Sequence, residues 1–274
     1  MGNSRIGMIH LRQSFKGLRL KLGLLCLALF LFQMLFAVLA TSVKIQQDMV
    51  TKLDTMPKMA QKMMGEGFIE SVIKYGVITM GYLHPFMLVI IILFIIMSVS
   101  QIVTSEIGYG SIGFTLSKPL SRRRIYFNMG VIIYIGTALL AFSTYLSTFL
   151  GIQLFHSTKM SVAPFFPLAW DLFLVMIFIA GYVALFAAIS DNSKRLFTLS
   201  GVTLFVFYLL SFATPLWSPL EYLAPVSPFY YFKPMAILMG NRLSWETSVT
   251  LTAVSVLMFT VAAFLFNRRD IASG

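Results

Sequence analysis

Six apolar runs, each long enough to cross a bilayer, constrain this chain more than any other feature of its sequence. They cover residues 22–41, 85–103, 129–150, 168–189, 196–216 and 249–266. A helix rises about 1.5 Å per residue, so about 20 apolar residues cross roughly 30 Å of hydrocarbon. No stretch shows the alternation of apolar and polar residues that is typical of membrane barrel strands. The sequence therefore predicts an all-α integral membrane protein with six transmembrane helices.

The positions of the charged residues predict how the helices are oriented. The chain carries 21 Lys and Arg against 10 Asp and Glu, a net charge of +11. The cations concentrate in the N-terminal arm, the loop between the second and third runs, the connection between the fourth and fifth, and the C-terminal tail. Cytoplasmic loops hold an excess of Lys and Arg, so both termini are predicted to be cytoplasmic. These cations also predict contact with anionic lipid, and they do not require a nucleic-acid partner.

Three polar segments flank the runs. Residues 1–21 place Ile6, Ile9, Phe15 and Leu18 at mostly helical spacing among cations, which predicts an interfacial amphipathic helix. A frayed basic leader is the alternative. The apolar core that follows has nearly 20 residues, longer than a typical signal sequence, so we expect an uncleaved anchor.

Two longer segments form the predicted outer loops. Residues 42–84 predict one or two helices at the outer interface, broken at Pro57. Methionines in this loop could bind Cu(I), but packing is the expected role because no Cys or His accompanies them in the loop before His84, and no metal site is predicted. These methionines are Met49, Met56, Met59, Met63 and Met64. Residues 215–247 hold half of the ten prolines and many aromatic residues, which predicts short broken helices, either as a lid or as an aromatic belt.

Motifs for chemistry are absent from the sequence. It lacks the phosphate-binding G-x-x-x-x-G-K-[ST], the zinc-binding H-E-x-x-H and the nucleophile elbow G-x-S-x-G, so no catalytic residue is predicted. No run carries a Lys, Arg, Asp or Glu at mid-membrane, which disfavours a self-powered carrier. Four hydroxyl residues share one face of the third run and predict either close packing or a transport path. They are Thr137, Thr144, Ser147 and Thr148.

The loop after the second run, SEIGYGSIGFTLSKPLSRRRIYF at 105–127, is longer than a hairpin needs. Pro119 predicts a turn, and Ser121 can cap a helix that begins at Arg122. Three arginines in the first turn would oppose the helix dipole by about 0.3 to 1 kcal/mol each. Anionic headgroups or a docked acidic protein could offset that cost. Glu106 could pair with one of the arginines or cap the following turn.

These residues resemble the signature of ABC-type-2 transporter permeases, the six-helix subunits of bacterial ABC exporters. Glu106-x-x-x-Gly110-Ser111, followed by Leu116, Pro119 and Ser121-Arg122, is similar to E-x-x-x-G-[ST]…L-x-x-P-[ILV]-S-R. The resemblance continues at Ser227-Pro228-Phe229-Tyr230 and at Phe266-x-Arg268-Arg269-Asp270. One departure is Asn128, at or near a position where many relatives have lysine.

The resemblance implies one permease domain over residues 1–274, whose cytoplasmic loop 104–127 docks on a separate ATPase subunit. It implies two copies of that ATPase, which hold ATP and Mg, and a second permease protomer, identical or related, in the bacterial cytoplasmic membrane. The expected cargo is a hydrophobic compound, lipid or peptide. A non-transporting subunit that recruits a soluble ATPase or partner for signalling or biogenesis is the alternative. The implied coupling residues are Glu106, Gly110, Ser111, Leu116, Pro119, Ser121, Arg122, Arg123 and Arg124.

Overall fold

The computed structural model describes residues 2–59, 68–104, 122–155, 160–240 and 245–269, and within them it contains helices and no strand. In chain order the α-helices of these ranges are α1 (Gly2–Leu39), α2 (Val43–Asp54), α3 (Phe68–Tyr75), α4 (Ile78–Leu83), α5 (Pro85–Val99), α6 (Arg122–Phe155), α7 (Phe165–Ile189), α8 (Ser193–Ala213), α9 (Pro234–Leu238) and α10 (Trp245–Arg268).

Six of the described helices are long and apolar enough to cross a membrane. The spanning segments are Ser14–Leu39, Pro85–Thr104, Arg123–Phe155, Phe165–Ile189, Ser193–Leu216 and Trp245–Arg268. Each contains most or all of one predicted apolar run, so the predicted all-α architecture with six spans is confirmed. Helix α6 begins at Arg122, as the loop sequence predicted, seven residues before the apolar run. Its first turns include Ile125 and Tyr126, which are buried in the core and extend the packed helix beyond the apolar run.

Helix α1 joins the N-terminal arm and the first span without a break. Its 38 residues run from Gly2 to Leu39, a length of about 57 Å at 1.5 Å per residue. The predicted helical arm is therefore present, and it continues into the first span as one helix without a break between residues 21 and 22. Since the hydrocarbon is only about 30 Å thick, the arm adds length that the first span does not need. Its position on the membrane surface stays a prediction.

Helix α7 occupies the centre of the bundle. It packs against α10, α6, α5 and α8, while α1 lies along α6. In the most apolar stretch of α7, 72% of the residues are buried, whereas the same share is 22% in α1, 17% in α8 and 22% in α10. A helix that is apolar all round is stable either inside a core or against lipid. The three less buried helices therefore form the apolar perimeter of the protomer.

Contacts between helices define one end of the bundle, which we call the basic end. Three pairs join different helices there: Lys21 Nζ donates to Gln101 Oε1 at 3.1 Å, Thr104 Oγ1 lies 3.4 Å from Ser193 Oγ, and the rings of Tyr126 and Phe266 have centroids 5.0 Å apart. The N-terminal half of α1 and the end of α10 both lie at this end. The structure thus agrees with termini on one side of the membrane.

The opposite end, which we call the outer end, contains a buried helical hairpin. Helices α3 and α4 are joined at Gly76, whose φ of +63° lies in the left-handed region that favours glycine. Gln33 Nε2 of α1 donates to the carbonyl of Ile78 at 3.2 Å, and Tyr82 OH lies 2.9 Å from Thr148 Oγ1 of α6. Because Gln33 lies six residues before the end of α1, helix α4 reaches about 9 Å below that end.

Both predicted outer loops contain the short helices that their prolines suggest. Helix α2 ends at Asp54, ahead of Pro57, as predicted. The region after α8 consists of 3₁₀ turns and the short α9, each with proline at its first or second position. The turns are Thr214–Leu216, Ser218–Tyr222, Ala224–Val226 and Pro228–Tyr231. Proline fixes φ near −65° and removes a donor, so it is tolerated there and prevents a longer helix.

Candidate functional site

The predicted coupling loop lies mostly outside the described residues. Glu106, Gly110, Ser111, Leu116, Pro119 and Ser121 fall in 105–121 and are not placed, nor is the predicted cap at Ser121. The structure does describe both flanks. On one side, α5 continues into a π-helical turn, Ser100–Thr104, and on the other α6 begins at Arg122. Turns of this type are rare and frequently occur at functional sites.

The flanks of this loop belong to a set of helix ends that are bound together. Besides the contacts of Gln101 and Thr104, the guanidinium of Arg269 at the end of α10 donates to the carbonyls of Ala188 (3.4 Å) and Ser190 (2.7 Å). The same guanidinium forms an ion pair with Asp191. Arg269 therefore joins α10 to the connection between α7 and α8. Sequence reasoning noted the Arg-Arg-Asp motif at the chain's end but could not show that its arginine binds a carboxylate 78 positions away.

The arginines at the start of α6 lie on the surface of the basic end. The structure describes only the backbone of Arg122, while the side chains of Arg123 and Arg124 are exposed. The guanidinium of Arg124 lies 5.4 Å from the centre of the Phe127 ring. No acid occupies the first turn of α6, so the helix itself does not balance these charges. Their position allows contact with an anionic partner at this end.

The hydroxyl residues of the third span are buried within the protomer. Thr137, Thr144 and Thr148 each donate to the backbone carbonyl four residues earlier in α6. Ser147 Oγ donates to the carbonyl of Phe30 in α1 at 2.7 Å. Small polar residues allow membrane helices to approach closely, and hydrogen bonds between such helices are typically worth about 0.6 kcal/mol. These contacts favour the packing role over the path-lining role.

An aromatic cavity of about 480 Å³ opens at the outer end. Its walls come from the end of α8, the end of α4, the start of α5 and the segment 229–236. Most of the lining is apolar or aromatic, and Lys233 Nζ lies 4.9 Å from the centre of the Tyr230 ring. Such an enclosure suits a hydrophobic ligand with few polar groups. Sequence reasoning placed the aromatic residues at this end but missed the cavity, because Leu83 and Leu88 of its wall are more than 100 positions from the rest.

Asp171 of α7 contacts the segment 229–236, which lines the outer cavity. Its side chain is fully buried, and Oδ2 accepts a hydrogen bond from the backbone N–H of Lys233 at 3.3 Å. The other oxygen, Oδ1, is buried without a hydrogen-bond partner among the described residues. Burying a carboxylate costs free energy, and the hydrogen bond from Lys233 offsets part of that cost. We therefore assign Asp171 a positioning role for residues that line the outer cavity.

Replacing Asp171 by alanine should loosen this segment, whereas asparagine should not. Asp171→Ala removes the acceptor for Lys233 and should lower the free energy of unfolding by about 1 kcal/mol. Asp171→Asn keeps an oxygen at the same position and removes a buried charge, so it should be at least as stable as the parent. Thermal unfolding of the detergent-solubilised protein and proteolysis of residues 214–233 measure the difference. Equal loss in both variants would disprove the positioning role.

The described residues contain no group of three or more His, Cys, Asp or Glu placed to hold a metal ion. In the first outer loop, Met49 and Met56 are partly buried against the core, and Met59 is exposed. Met63 and Met64 lie outside the described residues. The contact of Met49 and Met56 with the core is consistent with a packing role for these two side chains.

Six apolar helices, of which α7 is the buried central one, and cations collected at one end define a multi-pass membrane protein. Residues 15–267 match the family model described as "Multidrug efflux system permease Rv1217c, C-terminal domain". The match extends over most of the chain, which therefore belongs to this family of permeases. The resemblance to ABC-type permeases that the loop signature suggested is thus confirmed. Neither a curated protein nor a solved structure gave a match.

Proposed function

We propose that this chain is the transmembrane permease subunit of an ATP-driven ABC exporter in the bacterial cytoplasmic membrane. The observation that carries the proposal is the match of residues 15–267 to a multidrug efflux permease family. The six described spans and the E-x-x-x-G-S…L-x-x-P-L-S-R signature support it. ATP hydrolysis takes place in a partner, which binds ATP and Mg, while this chain supplies the path through the membrane.

The proposed coupling element is the loop 104–127. An ATPase subunit docks on it, with Glu106, Gly110, Ser111, Leu116, Pro119, Ser121 and the arginines 122–124 forming or shaping the contact. Hydrogen bonds join the middle of α1 to the π-helical turn at the start of this loop, that turn to the start of α8, and the residue after α10 to the end of α7. A displacement of the loop would therefore be carried into several spans together, since packed helices shift as units.

The complex contains two ATPase subunits and a second permease protomer, identical or related to this one. Alternating closure of a path between the protomers moves the cargo outward, and anionic lipid surrounds the basic end. The cargo is a hydrophobic compound, a lipid or a peptide. The aromatic outer cavity supports an apolar cargo, because its lining offers rings and methyl groups with few polar atoms.

Reconstitution tests this function directly. The chain is placed in vesicles with the ATPase subunit, and movement of a fluorescent hydrophobic dye is followed after addition of ATP. We expect dye movement that requires ATP and stops when the ATPase carries an inactive nucleotide site. If the complex hydrolyses ATP but moves neither dye, labelled lipid nor labelled peptide, the chain is instead a non-transporting subunit that recruits the ATPase.

A further inference from the structure

An open groove runs between α6 and α10 at the basic end of the protomer. It encloses about 740 Å³ and is lined by α6 from Arg123 to Ile135 and by α10 from Val256 to Phe264. Its walls are almost wholly apolar, and Phe127, Ile135 and Val256 are exposed on them. The groove lies on the perimeter of the bundle, since α10 is mostly unburied. Its surroundings at this depth are therefore acyl chains.

The length of the groove corresponds to one leaflet. From Arg123 to Ile135 the helix rises about 18 Å, compared with about 15 Å for half of the hydrocarbon layer. At the far end, Tyr134 OH lies 2.8 Å from Ser255 Oγ, and Ser255 Oγ in turn donates to the carbonyl of Ile177. These contacts join α6, α7 and α10 and close the floor of the groove near mid-membrane. A ligand that fills it extends from the basic end to the bilayer centre.

Arginines surround the mouth of the groove. Arg123 lines it, the guanidinium of Arg268 lies 4.2 Å from the ring centre of Phe264, and that of Arg124 lies 5.4 Å from the ring centre of Phe127. Both rings belong to the groove wall. Among the described residues, the carboxylate at this end is Asp191, which is bound to Arg195 and Arg269. In the described part of the chain, the mouth is therefore cationic above an apolar slot.

We propose that this groove binds an anionic phospholipid of the inner leaflet. An acyl chain lies between α6 and α10, and the phosphate contacts Arg123 and Arg268. The one-leaflet depth fits the acyl chain of a phospholipid, and the charge complementarity favours an anionic headgroup over a zwitterionic one, whose net charge is zero. The proposal deepens the general lipid contact suggested above and is independent of ATP-driven transport, because the site lies in a single protomer.

Photolabelling of the full chain tests the site. The protein is placed in phosphatidylcholine vesicles that contain a small fraction of phosphatidylglycerol with a diazirine on its acyl chain. A matched experiment uses diazirine-labelled phosphatidylcholine. We expect phosphatidylglycerol to label peptides from 123–135 and 256–264 preferentially, while the exposed face of α8 around Phe205 shows no preference. Equal labelling of the groove by the two lipids overturns the proposal.

Charge variants identify the headgroup contact. Arg123→Gln with Arg268→Gln should reduce the preference for phosphatidylglycerol about 25-fold, or about fivefold per arginine at about 1 kcal/mol for each cation near the surface. Arg19→Gln with Lys194→Gln removes the same charge from exposed positions at the basic end that do not line the groove. This control should keep the preference. An equal loss in the control would show diffuse attraction and would contradict a defined site.

Steric variants test occupation of the slot itself. Thr260 lines the groove, whereas its neighbour Val261 is exposed on α10 outside the lining. Thr260→Trp should therefore abolish labelling of the groove peptides, and Val261→Trp should leave it intact. Unchanged labelling of the groove peptides in Thr260→Trp overturns the proposal.

Discussion

Alanine at Glu106 or Pro119 should lower transport-coupled ATP hydrolysis by about tenfold while the protein still folds and inserts. Both positions belong to the family signature in the loop 104–127. A coupling free energy of 1 to 3 kcal/mol between two sites corresponds to about 5- to 150-fold, so loss of part of the proposed docking contact should fall in this range. The rate of ATP hydrolysis by the reconstituted complex, with and without cargo, measures the effect.

The neighbouring residue Ser117 provides a matched control. It lies two positions before Pro119 but occupies a variable position of the signature. Ser117→Ala should therefore keep coupled hydrolysis near the parent value. Binding of the ATPase is measured in parallel, because a docking residue should weaken the complex, whereas a residue that acts only within the membrane should not. Normal coupled hydrolysis in both Glu106→Ala and Pro119→Ala would refute the docking role.

Leucine in place of Gly136 should produce the largest loss of stability. Gly136 of α6 faces Phe94 of α5, and a Cβ atom added there would lie 2.2 Å from the end of the ring. Phe94 is only 1% exposed, so its ring cannot move into solvent. Overpacking a filled core costs about 1 to 3 kcal/mol, and we expect about 3 kcal/mol for the four added carbon atoms. Thermal unfolding in detergent measures the loss.

Gly201 of α8 is the matched control for this substitution. It also lies inside an apolar span, but a Cβ atom added there meets nothing within 4 Å. Gly201→Leu should therefore be neutral or slightly stabilising, because leucine favours helix more than glycine does. If both leucine variants unfold at the same temperature, Phe94 of α5 does not pack closely against Gly136 of α6.

Several features of the fold could be predicted because they depend on neighbours in the chain. The apolar runs predicted the six spans, and Pro57 together with the prolines of 215–247 predicted where helices break. Other features could not be predicted in this way. The burial of α4 against Gln33 and Thr148, for example, depends on three segments that meet only in the folded bundle.

The candidate sites divide along the same line. The signature from Glu106 to Arg122 is a continuous segment, so it was recognisable without coordinates. Two other features join residues that lie far apart in the chain. They are the groove between α6 and α10 and the ion pair between Arg269 and Asp191. The local sequence does not reveal such pairs, because charged and aromatic side chains are common wherever a helix ends near the membrane surface.

By itself the sequence determined how many times this chain crosses the membrane, which ends are basic, and which loop resembles the signature of ABC-type-2 permeases. The physical reason is that bilayer thickness and the cost of burying charge act on each segment separately. Only the tertiary structure decided that α7 is central, that α1, α8 and α10 form the perimeter, and that three arginines surround one groove. Helix pairing depends on the fit of small and large side chains across distant segments, and that fit exists only once the helices have packed.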